Sequence, residues 1–261
     1  MDLPTGLMLA GAGLAGGVVT AVVGGSSLIT FPAMLAAGLP PVIASTSNTI
    51  ALTPSNFVAA AADFARMPTW RAPFRAAAAV SVAGGVAGAF LLLWTPEKAF
   101  MGLIPALIGA ATALFAFAGS VRARIFRHAL DAAAPSARAD RLGLVLLAPV
   151  AVYGGYFGAG MSVMLLAILS LGAAADFRAI NVLKNLLSGL ISLVAVAVYL
   201  IQGAVSWPET LVMMAGALAG GFAGGRLVRV VPARILYWTV VVAGCFFTAL
   251  FARRYWWGSA A

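Results

Sequence analysis

Two stretches of this chain carry the same pattern, an apolar run of membrane length that is broken near its middle by glycines. The first stretch spans residues 7–39 and the second spans residues 141–173. Each holds two apolar segments of about 14 to 17 residues, which is shorter than the roughly 20 residues that an upright spanning helix needs. The pattern therefore predicts two hairpins of short, broken helices within a membrane domain.

The composition of the whole chain excludes an ordinary soluble domain. Of its 261 residues, 63% are hydrophobic and only 9% are charged, too few to cover a water-exposed surface. Lipid tolerates only helices and closed barrels, and the apolar runs here are continuous, whereas barrel strands would alternate. We therefore predict an all-α, polytopic membrane protein. Besides the two hairpins, helices are expected near 42–62, 72–94, 99–119, 178–202, 208–226 and 235–252.

The positive charge of the chain suits a membrane protein better than a nucleic-acid-binding protein. Sixteen Lys and Arg residues stand against seven Asp and Glu residues, which gives a formal net charge of +9. Most of these cationic residues lie between apolar segments, as they do in cytoplasmic loops that face anionic lipid. We therefore expect the lipid bilayer as a partner, and no nucleic acid.

The two halves of the chain resemble each other. The sequence GGVAG at 84–88 recurs as GGFAG at 220–224, a shift of 136 positions, and Gly38 aligns with Gly172 at a shift of 134. Small residues at this spacing also favour close helix packing in lipid. The similarity divides the chain into a first membrane repeat at 1–121, a cytoplasmic connecting loop at 122–141 and a second membrane repeat at 142–261.

The distribution of arginines predicts how the repeats are oriented. If each hairpin enters and leaves on one side, nearly all arginines lie on the cytoplasmic face, and only Lys98, Arg253 and Arg254 lie outside. If each hairpin instead crosses the membrane once, the asymmetry is weaker. The sequence therefore favours two inverted repeats with both termini outside, a symmetry that is typical of secondary transporters.

A family resemblance rests on three stretches, residues 22–52, 153–190 and 203–227. Their ordered glycine-rich and polar motifs, present in both halves, are similar to those of the sulfite exporter TauE/SafE family of membrane permeases. The resemblance implies transport of small sulfur-containing anions such as sulfite or sulfonates across the bacterial inner membrane. It does not fix which anion is carried.

Lys184 is the only Lys or Arg that lies more than four residues inside a predicted span, and Asn181 and Asn185 lie beside it. A cation at membrane depth is costly, so it should face a polar cavity or a counter-ion. A bound anion would supply the missing charge, and the two amides would donate further hydrogen bonds. The alternative is that the lysine reaches back to the cytoplasmic interface.

A polar run in the first half, Ser45 to Thr49, occupies the corresponding place. At the shift of 136, Asn48 aligns with Lys184 and Thr49 aligns with Asn185. We therefore expect Asn48 and Thr49 to line the path of the substrate, with Ser45, Ser47 and Asn56 as weaker candidates. The alternative is that these hydroxyls only satisfy the helix backbone that a nearby proline leaves unpaired.

The glycine-rich breaks themselves are the third candidate element. Glycine lets the backbone reverse, and a serine that caps the following half-helix would leave amides and a positive dipole end that attract anions. The alternative is plain close packing of helices. The substrate-binding residues predicted at the two breaks are Gly25, Ser26, Ser27, Gly158, Gly160 and Ser162.

Together these features predict a secondary transporter that exports a small sulfur-containing anion by alternating access. An anion channel, or a permease for small carboxylates, remains the alternative. The chain offers no nucleophile with a general base beside it, no metal-ligand cluster and no nucleotide-binding motif. We therefore expect no enzyme activity, metal or cofactor. Protons as a coupling ion and a homodimer are left open.

Overall fold

A computed structural model of the protein describes residues 1–22, 25–61, 72–131, 137–171, 177–227 and 233–257. Within these ranges there is no strand, and a short π-helical turn at Arg253–Trp257 follows the last α-helix. The ten α-helices are α1 (Leu3–Val22), α2 (Ser27–Ala36), α3 (Pro41–Ala61), α4 (Ala72–Trp94), α5 (Glu97–Asp131), α6 (Ala137–Tyr156), α7 (Met161–Leu171), α8 (Phe177–Ile201), α9 (Trp207–Leu227) and α10 (Ala233–Ala252).

These helices confirm the predicted all-α, polytopic class. Among the described residues, α1, α4, α5 and α8 each contain a segment long and apolar enough to cross a membrane. The bounds of α4 equal the predicted 72–94. The exception is α5, which continues to Asp131 instead of ending near 119. Residues 120–131 contain neither Gly nor Pro and several good helix formers, so nothing in the sequence stops the helix there.

Both glycine-broken stretches form hairpins, but their two limbs are unequal, whereas two limbs of 14 to 17 residues were expected. The first limbs, α1 and α6, have 20 residues each, and the second limbs, α2 and α7, have 10 and 11. At 1.5 Å per residue, the first limbs are about 30 Å long and the second limbs about 15 Å. The second limbs are therefore half-helices.

The half-helices fold back along their first limbs. A Cβ placed on Gly16 of α1 would lie 2.5 Å from Cγ2 of Thr30 in α2. In the second hairpin, a Cβ on Gly154 of α6 would lie 2.1 Å from the sulfur of Met161 at the start of α7. Each chain segment therefore enters along a long helix, reverses at its glycines, and returns by half that length.

The helix boundaries repeat along the chain. The starts of α1 and α2 recur at α6 and α7 after 134 positions, and the starts of α3 and α5 recur at α8 and α10 after 136. The packing repeats as well, since α1 packs on α9 while its counterpart α6 packs on α4. Likewise α3 packs on α9, and α8 packs on α4. Gly172, which marked one of the predicted shifts, lies outside the described residues.

Equivalent helices of the two halves run antiparallel. Thr46, near the start of α3, donates a hydrogen bond to the carbonyl of Ala204, just after the end of α8. Nearer the other end of α3, the ring of Phe57 would contact a Cβ placed on Gly189 at 3.0 Å. These two contacts show that α3 and α8 run in opposite directions.

The pair α5 and α10 is antiparallel in the same way, and its contacts are reciprocal. Thr112 of α5 faces Gly244 of α10, while Thr248 of α10 faces Gly109 of α5. The two threonines are separated by the same shift of 136 positions and so occupy equivalent positions in the two halves. Each also donates its hydroxyl to a carbonyl four residues earlier in its own helix.

The small-residue stretches bring helix backbones into direct contact, as the packing interpretation of 84–88 predicts. A Cβ on Gly88 of α4 would lie 2.0 Å from the carbonyl oxygen of Val152 in α6. A Cβ on Gly17 of α1 would lie 2.1 Å from that of Ala217 in α9. These two close-packed pairs hold the long limbs of both hairpins.

Candidate functional site

A cavity lies where the two hairpin tips meet the middle of α3 and α8. About 610 Å³ in it, counting its open mouth, is free of protein atoms. The lining residues are Thr20, Gly25, Ser26, Ser27, Thr49, Leu52, Ser55, Asn56, Gly154, Phe157, Gly158, Gly160, Met161, Ser162, Lys184, Asn185 and Ser192.

The two tips converge because both rest on one face of α5. Gly25 has φ +85° and Gly160 has φ +78°, a left-handed conformation that favours glycine. A Cβ on Gly25 would lie 2.9 Å from the ring of Phe115, and one on Gly160 would lie 3.3 Å from Ala111. Since positions 111 and 115 are four apart, they share a face of α5. Side chains at either tip would push it off this support.

Each tip ends in the N-terminus of a half-helix, and both N-termini border the cavity. Helix α2 begins at Ser27 and α7 begins at Met161, and both residues line the space. The N–H groups of a first helical turn have no partner within the helix and carry a partial positive charge. Several of these N–H groups already donate to the tips, those of Leu28 and Met161 to the carbonyls of Gly25 and Gly158, at 3.1 and 3.2 Å. What the two half-helices direct toward the same volume is therefore chiefly the positive potential of their dipole ends.

The predicted capping role of Ser26 or Ser27 is not seen for Ser26. Ser26 occupies the N-cap position of α2, but its backbone is helical, at φ −52° and ψ −35°, and its side chain makes no capping hydrogen bond. A capping serine normally has an extended backbone that directs its hydroxyl to the first turn. The Ser26 hydroxyl, on a residue that is only 8% exposed, therefore keeps its proton available at the cavity wall.

Lys184 supplies the only charged side chain among the lining residues of the described chain. It lies two turns into α8, which begins at Phe177, and is 8% exposed. No carboxylate among the described residues forms an ion pair with it, and the lining contains no acid. The lysine therefore faces the cavity without a counter-charge from this part of the protein.

Three hydroxyl groups on the α1 and α3 side of the cavity have their protons engaged in hydrogen bonds within their own helices. Thr20, Thr49 and Ser55 each donate to a carbonyl three or four residues earlier in the same helix, at 3.0, 2.9 and 2.6 Å. With the proton engaged, each oxygen presents lone pairs to the cavity. On this side the cavity therefore offers three acceptor oxygens beside the amide of Asn56, whereas Lys184 offers donors and the half-helix N-termini offer positive potential.

Most of the residues predicted to bind substrate lie around this cavity. Of the predicted residues, those that line it are Gly25, Ser26, Ser27, Thr49, Asn56, Gly158, Gly160, Ser162, Lys184 and Asn185. Asn48 and Asn181 are not among the lining residues, and neither are the weaker candidates Ser45 and Ser47. Asn48 is 2% exposed and its buried Oδ1 has no hydrogen-bond partner, and Asn181 is half-buried one turn before Lys184.

Side-chain length explains why Lys184 lines the cavity and Asn48, which aligns with it, does not. The neighbouring pair, Thr49 and Asn185, lines the cavity from both repeats. One position earlier on a helix points about 100° away, because a turn takes 3.6 residues. The four-carbon stem of a lysine can still reach the cavity from there, and the short asparagine cannot.

Sequence reasoning missed three lining hydroxyls, on Thr20, Ser55 and Ser192. Two signals could have found Ser192. It lies seven residues after Asn185 and hence on the same helix face, and it aligns with Asn56 at the shift of 136. Thr20 had no such signal, because it reaches the cavity only through the fold of the first hairpin.

Known proteins are similar to this chain over nearly its whole length. Residues 9–251 match the family model described as Sulfite exporter TauE/SafE. Among curated proteins, the chain is 27% identical over 245 residues to the "Probable membrane transporter protein" of Haemophilus influenzae (strain ATCC 51907 / DSM 11121 / KW20 / Rd), an alignment that covers 91% of this chain and 90% of that protein. No solved structure matches the chain significantly.

Proposed function

The chain belongs to the sulfite exporter TauE/SafE family of membrane transporters, and we propose that it is a secondary transporter that exports a small sulfur-containing anion, such as sulfite or a sulfonate, across the bacterial inner membrane. One observation carries the proposal. Lys184, without a carboxylate partner among the described residues, lines the same cavity as the N-termini of two half-helices.

The charge of this cavity suits one small anion. Each helix N-terminus is equivalent to about half a positive charge, so the two half-helices and Lys184 together supply about two positive charges. The cavity lining of the described chain has no acid to balance them. An anion would remove the cost of burying the lysine, and Ser26, Ser162 and Asn185 would donate hydrogen bonds to its oxygens.

The arrangement of the helices supports transport by alternating access between inverted repeats. The equivalent helices α3 and α8 run antiparallel, and so do α5 and α10. Each hairpin also packs through its long limb on a helix of the other half. Rocking one half against the other would therefore move both hairpin tips relative to the cavity and open it to one side at a time.

Transport of labelled sulfite by purified protein in liposomes tests the proposal. We expect saturable transport that is inhibited by sulfonates, and a Lys184→Ala variant that transports less than a tenth as fast at the same reconstituted amount. Unchanged transport by that variant would contradict the assigned role of the lysine. Single-channel currents far above carrier turnover would assign the cavity to a channel, and competition by short carboxylates alone would assign it to a carboxylate permease.

A further inference from the structure

The acceptor oxygens on one side of the cavity are not explained by an anion alone. We define the acceptor wall as the hydroxyl oxygens of Thr20, Thr49 and Ser55, whose protons are donated to backbone carbonyls. The amide of Asn56, which lines the same side, can donate or accept. The three hydroxyl oxygens of the wall therefore present lone pairs to the cavity and no proton of their own.

A fully deprotonated oxyanion is complementary only to the side of the cavity formed by Lys184 and the half-helix N-termini. All its oxygens are acceptors, so against the acceptor wall it would place lone pair against lone pair and leave both unsatisfied. Turning the three hydroxyls round would break their backbone bonds, each of which contributes about 0.5–1.5 kcal/mol. A solute that brings its own donor satisfies both sides at once.

We propose that the solute bound here is a monoanion that also carries an O–H group, and that Thr49 helps to select it by accepting that proton. The proposal rests on the proposed function, since it concerns the same cavity. The anionic end faces Lys184 and the half-helix N-termini, and the O–H group faces the acceptor wall. Two sources supply this chemistry: an inorganic oxyanion that keeps one proton, and an organic sulfonate with a hydroxyl on its carbon chain.

A matched pair of ligands tests the donor directly. In 2-hydroxyethanesulfonate a hydroxyl takes the place of the terminal methyl of propane-1-sulfonate, so the two differ in hydrogen bonding and little in size. Calorimetry on the purified full chain should show about three- to tenfold tighter binding of the hydroxy compound, the value of one neutral hydrogen bond. Equal affinities, together with the flat pH response described below, would overturn the proposal.

A matched pair of variants tests whether Thr49 in the acceptor wall causes the preference for the hydroxy compound. In Thr49→Val the acceptor oxygen is replaced by a methyl group at the cavity, and we expect the preference for the hydroxy compound to disappear. Thr53→Val is the control, because Thr53 makes the same kind of hydroxyl bond in α3, at 2.7 Å to the carbonyl of Thr49, but does not line the cavity. An equal loss of preference in both variants would overturn the assignment to Thr49.

A pH series separates the two sources of the O–H group. Sulfite gains a proton as the pH falls through neutrality, whereas propane-1-sulfonate stays a monoanion. Lys184 is the one ionisable lining residue in the described chain, and its titration would change the binding of both ligands and leave their ratio constant. A ratio that rises toward sulfite at low pH supports the inorganic source, and a flat ratio with the hydroxyl preference intact supports the organic one.

Two further outcomes are distinguishable from these. If binding of both sulfonates required sodium ions and Thr49→Val removed that requirement, the wall would hold a cation and the proposal would be overturned. If none of the three ligands bound the wild-type chain, the proposed function itself would fail, and this inference with it. Binding of all three without discrimination would leave the transporter assignment intact and refute only the inference.

Discussion

Replacing Lys184 with methionine should weaken anion binding and stabilise the empty protein at the same time. Methionine keeps most of the length of the side chain and removes its charge. In the described structure the lysine is 8% exposed and has no carboxylate partner, so its charge is compensated only when an anion is bound. An uncompensated buried charge destabilises a fold, and the variant without ligand should therefore melt at a higher temperature than the wild type.

The size of the binding effect follows from electrostatics. Two unit charges about 4 Å apart attract by about 4 kcal/mol at an effective dielectric constant of 20. Desolvation of the anion offsets part of this, and hydrogen bonds to charged groups contribute about 1.5–3 kcal/mol net. We therefore expect the Kd for sulfite to rise about 10- to 100-fold in Lys184→Met.

Thermal unfolding with and without sulfite measures both effects on one sample. At a sulfite concentration of 100 times the wild-type Kd, the wild type should gain about 2.7 kcal/mol, and a variant with a 100-fold higher Kd should gain about 0.4 kcal/mol. Lys98→Met is the control, since Lys98 is exposed at the start of α5 and should bind sulfite as the wild type does. A Lys184→Met protein with wild-type stabilisation by sulfite would refute the reasoning.

Two further predictions concern the hairpin tips. Gly25→Ala should lower the unfolding temperature and weaken sulfite binding, because Gly25 has φ +85° and a Cβ there would lie 2.9 Å from the ring of Phe115 in α5. Gly102→Ala is the control and should be neutral or slightly stabilising, because a Cβ there would have no atom within 4 Å. Equal unfolding curves for the two variants would contradict this. Tyr153→Phe removes the hydroxyl that holds the carbonyl of Ala159 at 2.7 Å, so we expect a several-fold higher transport KM with little change in maximal rate. Thr95→Val, which loses a hydroxyl bond to the carbonyl of Leu91 at an exposed helix end away from the cavity, should keep the wild-type KM. Equal KM values in these two variants would remove the tip-positioning role.

The periodic features of the sequence predicted the helices well, because continuous apolar runs have few alternatives in lipid. The bounds of α4 were predicted to the residue, and α3 and α8 differ by one residue at each end. The extension of α5 was missed because charged residues suggested a loop, although arginine and alanine are good helix formers. The unequal hairpin limbs were missed because hydropathy marks the glycine break but not the point where each limb leaves the bilayer.

Some residues of the candidate site could be predicted from sequence patterns, and others could not. An isolated lysine and glycine-rich breaks are visible in the sequence because they violate the rules of an apolar span, and Lys184, Gly25 and Gly160 all reach the cavity. Thr20 violates no rule, since a hydroxyl can always bond to its own helix. Asn48 was expected at the cavity by alignment alone, but alignment cannot tell which side chain is long enough to reach it.

The most direct test of the account is an experimental structure of the protein with bound selenite, an analogue of sulfite whose selenium is located by anomalous scattering. We predict one anomalous peak between Ser26 and Ser162, within hydrogen-bonding distance of the Nζ of Lys184. A peak elsewhere in the membrane domain, with this cavity empty in a protein that transports sulfite, would contradict the claim that two converging half-helices and one lysine hold the anion.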